Sequence, residues 1–316
     1  MGISIGRVLD MLPYKGVEIE DTFAELFTMW AGRVLITAEN ERWALTAARV
    51  ATGFASSIIG SPAEAGIEGT VSPGETPDGR TGVLIQIYNT TRTELKRQMI
   101  ARIGQCVMTC PTTSAFDALP DAKRRLKVGR SLRLFGDGFQ KRDEVAGRRV
   151  WRIPVMEGEF VVEDTFGAKK AVAGGNFLIL AKDSKSGLQA AEEAVEAIRK
   201  NVKGVIMPFP GGICRSGSKV GSLKYKLPAS TNHPYCPSLR GIVPESQVPE
   251  GVNSVYEIII NGLELEYVKD AMAVGIKAAA EVPGVVRISA GNYGGKFGPM
   301  KVHLREILAE SVNPRP

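Results

Sequence analysis

"SVYEIIING", residues 254–262, has the β-branched and aromatic character of a strand and ends on an Asn-Gly stop. Alternation puts Val255, Glu257 and Ile259 on one face and Tyr256, Ile258 and Ile260 on the other. Neither face is polar, so Glu257 has no evident solvent side. An earlier stretch, "GVLIQIYN" (82–89), runs the same way and ends on Asn89 where the later one has Asn261. In that alignment Ile85 stands where Glu257 does, so the strand accepts an aliphatic residue and packing does not demand the carboxylate.

The correspondence extends outward. "RVLITA" (33–38), "NERWALTAARVATG" (40–53) and "SSIIGSPAEAGI" (56–67) parallel "NFLILA" (176–181), "GLQAAEEAVEAIRK" (187–200) and "GVIMPFPGGI" (204–213). Pro62 and Gly66 match Pro208 and Gly212 at one offset. Each set reads strand, amphipathic helix, strand; in the later helix Leu188, Ala191, Val195 and Ile198 fall on one stripe. A second unit follows in each half. Strand 82–89, a helix around Leu95, Met99 and Ile103, and "QCVMT" (105–109) parallel strand 256–261, a helix around Leu265, Val268, Met272 and Ile276, and "VVRIS" (285–289).

The expected fold is therefore α+β: two similar ferredoxin-like, split βαβ lobes from an internal duplication. Residues 1–145 would form the N-terminal lobe and 146–316 the C-terminal lobe. Alternating residues 133–164 suggest an added β-meander. The halves differ at about 214–253, a Gly-, Ser-, Pro- and Lys-rich segment much longer than its counterpart. Inserted loops of that kind are functional or disordered. Within it, "LPASTNHPYCP" (227–237), crowded with hydroxyls, an amide and an aromatic ring, argues for an ordered binding loop.

Composition narrows the function. The 316 residues are 44% hydrophobic and 23% charged, ordinary for a globular protein that buries a sizeable core. No apolar run approaches the roughly 20 residues that span a bilayer. The first residues lack a signal peptide's apolar core, which points to a cytoplasmic protein. Four cysteines and only two histidines, His233 and His303, offer no metal-ligand spacing around Cys106 and Cys110, so no metal site is expected. A net charge of +6 favours anionic partners. The basic run 121–133 contains no aromatics for base stacking, which leaves nucleic acid behind a solvated or subunit-contacting face.

Familiar loop motifs fail on order. "GICRSGSK" (212–219) lacks the Gly-Lys-Ser of a phosphate loop, and "AGNYGGKFG" (290–298) leads into a strand, not a helix. No Ser-His-Asp or Cys-His pairing can be built. Glu257 is the exception: burial without a partner costs several kcal/mol or leaves the group neutral, and raises a carboxyl pKa toward the range of general acid–base catalysis. A structural ion pair is the other reading of the same residue.

A set of stretches resembles one family: "KGVEIEDTFAELF" (15–27), "PAEAGIEG", "ETPDGR", "RIGQCVMT", "FGDGFQ", "EGEFVVED", "VAGGNF", "PFPGGI", "LPASTN", "VYEIIINGL" and "ISAGNYGGK". These resemble formylmethanofuran:tetrahydromethanopterin formyltransferases from about residue 15 to 306. The resemblance implies two joined α/β lobes, a homotetramer built as a dimer of dimers, and formyl transfer without metal or covalent enzyme intermediate. The formyl group moves between N5 of tetrahydromethanopterin and the amine of methanofuran or methylofuran. The family's catalytic glutamate falls on Glu257. Gln105, Asn232 and Asn292 become candidate oxyanion donors. Glu64, Asp137, Ser230 and Thr231 become candidate substrate contacts, and Arg215 and Lys219, with Lys224, candidates for the carriers' anionic groups. The basic balance fits the bacterial branch, in which the enzyme serves formaldehyde oxidation as a subunit of a formyltransferase/hydrolase complex. A non-catalytic scaffold and an RNA-binding α/β module are the alternatives.

Overall fold

The structure, a computed structural model, describes residues 13–310. In chain order it contains β1 (Glu18–Ile19), β2 (Phe23–Ala38), α1 (Glu41–Thr52), β3 (Glu64–Val71), β4 (Thr81–Asn89) and α2 (Arg92–Arg102). A π-turn at Ile103–Val107 leads to β5 (Ser114–Asp117), β6 (Arg124–Leu126) and α3 (Val128–Leu132). Then come β7 (Lys141–Val145), β8 (Arg148–Val155), β9 (Gly158–Glu163), β10 (Phe166–Ala181), α4 (Ser184–Asn201) and β11 (Val205–Ile206). The long insertion carries β12 (Lys219–Val220) and β13 (Ala229–Ser230). The chain closes with β14 (Ser254–Gly262), α5 (Leu265–Ala280), β15 (Val285–Ser289), β16 (Met300–His303) and α6 (Leu304–Glu310).

The chain divides into two compact units, Thr28–Ala171 and Met1–Phe27 with Val172–Pro316. This partition differs from the division expected at 145/146: residues 13–27 belong with the C-terminal half, and the meander strands belong with the N-terminal half. The 16-residue strands β2 and β10 each begin in one unit and end in the other, so no linker marks the change.

In the unit 28–171 the strand order is β3-β4-β2-β5, all antiparallel, and β9 joins β5 in parallel before the antiparallel β9-β8-β7 meander. In the other unit the order is β11-β14-β10-β15, again antiparallel, with β1 parallel to β15 and β16 antiparallel to the start of β2. The class is thus α+β with mixed sheets. Among the described residues no helix is long and apolar enough to cross a membrane.

Local chemistry explains the helices. The side chains of Asn40, Thr91 and Asp183 each accept a hydrogen bond from the first turn of α1, α2 and α4 and so satisfy an otherwise orphaned amide. The buried stripe of α4 is Gly187, Ala190, Ala191, Ala194, Val195 and Ile198; Leu188, expected on it, is exposed. Small residues let α4 lie close to the sheet. Phe177, Ile179, Ile258, Ile260 and Ile288 pack there against α4 and α5 in one core. A second core forms in the other unit around Val34, Ile36, Val83, Ile85 and Ile87.

Three expectations need correction. "QCVMT" is not a strand: α2 runs on into the π-turn, and the matching strand is "SAFD", 114–117. Residues 133–136 form a 3₁₀ turn, so the meander starts at Lys141. The repeat register also shifts by one residue. Glu257 pairs with Leu178, and Leu178 in "NFLILA" holds the place of Leu35 in "RVLITA", whose partner is Leu84. The counterpart of Glu257 is Leu84 rather than Ile85. A one-residue slip exchanges the faces: Ile85 packs under helices, whereas Leu84 and Glu257 face away from them.

Candidate active site

Glu257 lies mid-strand on the helix-free face of β14. Both of its backbone edges are engaged. One side pairs with Leu178 of β10; on the other, Cys214 donates to its carbonyl at 2.8 Å and accepts from its amide at 2.9 Å. The face around it is apolar. Leu178, Leu180 and Val255 are covered by Val248, Val252 and Tyr235 of the insertion. The Tyr235 hydroxyl reaches Ser289 Oγ at 3.1 Å, on the strand beyond Leu178.

The Glu257 side chain has no hydrogen bond or ion pair among the described residues. Burial alone raises its pKa from 4.5 to about 7. The residue still keeps partial exposure along the strand, so its carboxyl sits in desolvated surroundings without being sealed off. A group of this kind can hold or release a proton at neutral pH. Its charge is felt nearby: burial first, then Glu257, raises the Tyr293 phenol, and burial, with a smaller contribution from Glu257, raises the Cys214 thiol.

The turn after β15 closes one side of the site. Asn176, on the same face of β10, accepts from the Gly291 amide at 2.6 Å and donates to the Gly291 carbonyl at 3.0 Å. A Cβ at Gly291 would lie 3.4 Å from Glu257 Oε1, so glycine leaves that approach to the carboxyl open. Gly294 and Gly295 have φ of 68° and 73°, the left-handed region that favours glycine. Glu25, buried in β2, then accepts from four backbone amides of the turn: Tyr293 at 2.8 Å, Gly295 at 3.0 Å, and Phe297 and Gly298. Burial raises the Glu25 pKa, but these amides outweigh it and hold the carboxyl below its ordinary value.

The expected site residues divide between the units. Glu64, Gln105 and Asp137 belong to the unit 28–171. Glu64 Oε1 accepts from the Ile58 amide at 3.0 Å, Gln105 is exposed in the π-turn, and Asp137 is exposed with φ of 49°. The others share the unit of Glu257. Arg215 follows Cys214 directly and is exposed, and Lys219 pairs with Ser230 across β12 and β13. Ser230 donates to the Gly221 carbonyl at 2.8 Å, Thr231 Oγ1 lies 3.4 Å from Cys236 Sγ, and Asn232 is half-buried beside Gly217. Asn292 donates to Thr22 Oγ1 and the Phe23 carbonyl, which pins the turn.

Glu25, Asn176, Gly291 and Tyr293 were not singled out by the sequence reading. A usable signal existed for Glu25, which interrupts the apolar stretch "FAELF" as Glu257 interrupts its own strand. Among the described residues no group of three His, Cys, Asp or Glu side chains is arranged to hold a metal ion. In the basic run, Arg125 is committed to Asp117 at 2.7 Å and Arg130 to Asp164 at 2.6 Å, so part of that charge serves the fold.

Comparison with known proteins agrees over most of the chain. A family model described as formylmethanofuran-tetrahydromethanopterin formyltransferase matches residues 12–155, and one described as the proximal lobe of that family matches residues 158–307. The formylmethanofuran–tetrahydromethanopterin formyltransferase of Methanopyrus kandleri is 58% identical over 298 residues, 93% of this chain and 99% of its own length. That of Methanocaldococcus jannaschii is 57% identical over the same shares. The solved Methanosarcina barkeri enzyme superposes with a TM-score of 0.91 at 51% identity, covering 94% of this chain and all of that one. A chain in the formyltransferase/hydrolase complex of Methylorubrum extorquens, solved with methylofuran, superposes with a TM-score of 0.89 at 45% identity, covering 93% and 97%. With both halves matched and more than half of the residues shared with such relatives, the chain belongs to the formylmethanofuran–tetrahydromethanopterin formyltransferase family.

Proposed function

We infer that the chain transfers a formyl group between N5 of tetrahydromethanopterin and the amine of methanofuran or methylofuran, with Glu257 carrying the proton. The observation that supports this role is an unpartnered carboxyl with a pKa of about 7 on the helix-free face of β14. The attacking amine adds to the formamide carbon and gives a tetrahedral oxyanion. Glu257, ionised, accepts the proton lost by the attacking nitrogen. The bond from carbon to the departing nitrogen breaks as Glu257 returns that proton to it, so the enzyme ends as it began. Asn232, in the same unit as Glu257, is a proposed donor to the oxyanion, while Ser230 and Thr231 of that unit are proposed to contact the carriers. Arg215 and Lys219 are assigned to the carriers' anionic groups.

The strand orders β3-β4-β2-β5 and β11-β14-β10-β15, each interleaved with two helical segments, favour reading both units as ferredoxin-like split βαβ lobes from one duplication. The Methylorubrum relative's place in a formyltransferase/hydrolase complex favours partner subunits for this chain; self-association as a dimer of dimers in the cytoplasm is proposed on the family resemblance alone. The transfer rate of a Glu257→Gln enzyme tests the reading: a near-normal rate would remove Glu257 from the mechanism.

A further inference from the structure

We propose that Phe27, Tyr293 and Phe297 form an aromatic platform beside Glu257 that receives the flat heterocyclic head of a one-carbon carrier. The inference rests on the formyl-transfer reading of this site and adds the place where a ring binds.

Three observations carry it. The Tyr293 ring stands 5.4 Å from Phe297, edge-on at 78°, and 6.3 Å from Phe27, within the range over which aromatic rings interact. Phe297 is 60% exposed, although its amide is fixed on Glu25. A large ring at the surface on an anchored backbone contributes little to a core and offers a face to a ligand. The Tyr293 hydroxyl has no hydrogen bond among the described residues, although Tyr293 is half-buried, where such hydroxyls usually find a partner. A ring nitrogen or carbonyl of a bound heterocycle supplies one.

The platform is close to the chemistry. Tyr293 lies near enough to Glu257 for that charge to act on its phenol, and Gly291, two residues earlier, flanks Glu257 Oε1. The turn is also formed in advance. Glu25 fixes four of its amides and Asn176 clamps its first glycine, so little ordering remains to be done when a ring arrives. A furan and a pterin share the required chemistry, a flat π system with polar edges. The two carriers are therefore the sources to be separated by experiment.

The test uses the full chain. Dissociation constants for unformylated furan carrier and for tetrahydromethanopterin are measured separately on the Glu257→Gln protein, with and without Phe297→Ala. Because no turnover is needed, the result does not depend on the role of Glu257. Exposure of Phe297 makes its removal compatible with folding, which circular dichroism and melting would verify. About a tenfold weakening for one carrier is expected, the scale of base–aromatic stacking, and identifies the ring that binds there. In the wild-type background the same change raises KM for that carrier with kcat nearly constant. Tyr293→Phe, which keeps the ring, should weaken binding less than Tyr293→Leu. Unchanged constants for both carriers, or a loss confined to kcat, would overturn the platform; a normal transfer rate in Glu257→Gln would instead overturn the proton-transfer reading.

Discussion

Glu257 and Glu25 are both glutamates set in apolar strands, and their surroundings drive them in opposite directions. Four amides face Glu25 and favour its charge, whereas nothing among the described residues donates to the Glu257 carboxyl, and its pKa rises to about 7. For Glu257 the folded value exceeds the unfolded value of 4.5. The unfolded chain therefore ionises first, and stability falls as pH rises from about 4.5 to about 7. A shift of that size corresponds to about 3 kcal/mol. Glu257→Gln should accordingly be more stable than wild type at pH 8 by up to about 3 kcal/mol, with the difference vanishing near pH 4. Urea unfolding at the two pH values measures it; equal stability at pH 8 would show that the carboxyl is well solvated. Glu257 was legible in the sequence because a carboxylate in an apolar strand is anomalous at once. Glu25 shows the same anomaly, but its destination was hidden, since its donors are backbone amides near the far end of the chain and every residue type has one.

At the scale of elements, the 291–298 turn depends on Glu25 more than on its own sequence. Glutamine there would present an NH₂ to amides that need an acceptor, so Glu25→Gln should cost about 2–4 kcal/mol at pH 7. The sign is opposite to that of Glu257. The folded pKa of Glu25 is depressed, so its contribution is complete above the usual carboxylate range and is lost as pH falls below it. The gap between wild type and Glu25→Gln should narrow on acidification, which thermal melts from pH 7 to pH 3 would follow; a gap independent of pH would contradict the anchor. The helices and most strands could be read from periodicity, because buried stripes and alternation leave a mark on composition. "QCVMT" could not, since a π-turn continuing a helix and a short apolar strand look alike. The register of β14 missed by one residue because alignment by Asn89 and Asn261 ignores the bulge between Val172 and Gly175 in β10.

At the scale of the molecule, two units share one strand order, yet only one holds a carboxyl at the matched position. Leu84, the counterpart of Glu257, packs with Leu35, Phe116 and Val150, and no long insertion follows β3. Leu84→Glu should therefore destabilise the protein by several kcal/mol at pH 8, less at pH 5 where the new carboxyl is neutral, and leave the transfer rate per folded molecule unchanged. A milder loss, independent of pH, would mean that this face of β4 is wetter than its packing indicates. The shared strand order was legible because the two halves of the sequence run in parallel, as "RVLITA" and "NFLILA" do. The partition was not, because β2 and β10 change unit in mid-strand and carry no Gly- or Pro-rich boundary there.

We propose that Glu257 carries the proton in formyl transfer. The most direct measurement is kcat for Glu257→Gln with both carriers saturating, across pH 5 to 9. General acid–base catalysis predicts a fall of about 10²–10⁴ with KM little changed, and loss of the wild-type rise in kcat/KM through pH 7. A rate within a few-fold of wild type, with that rise still present, would contradict it.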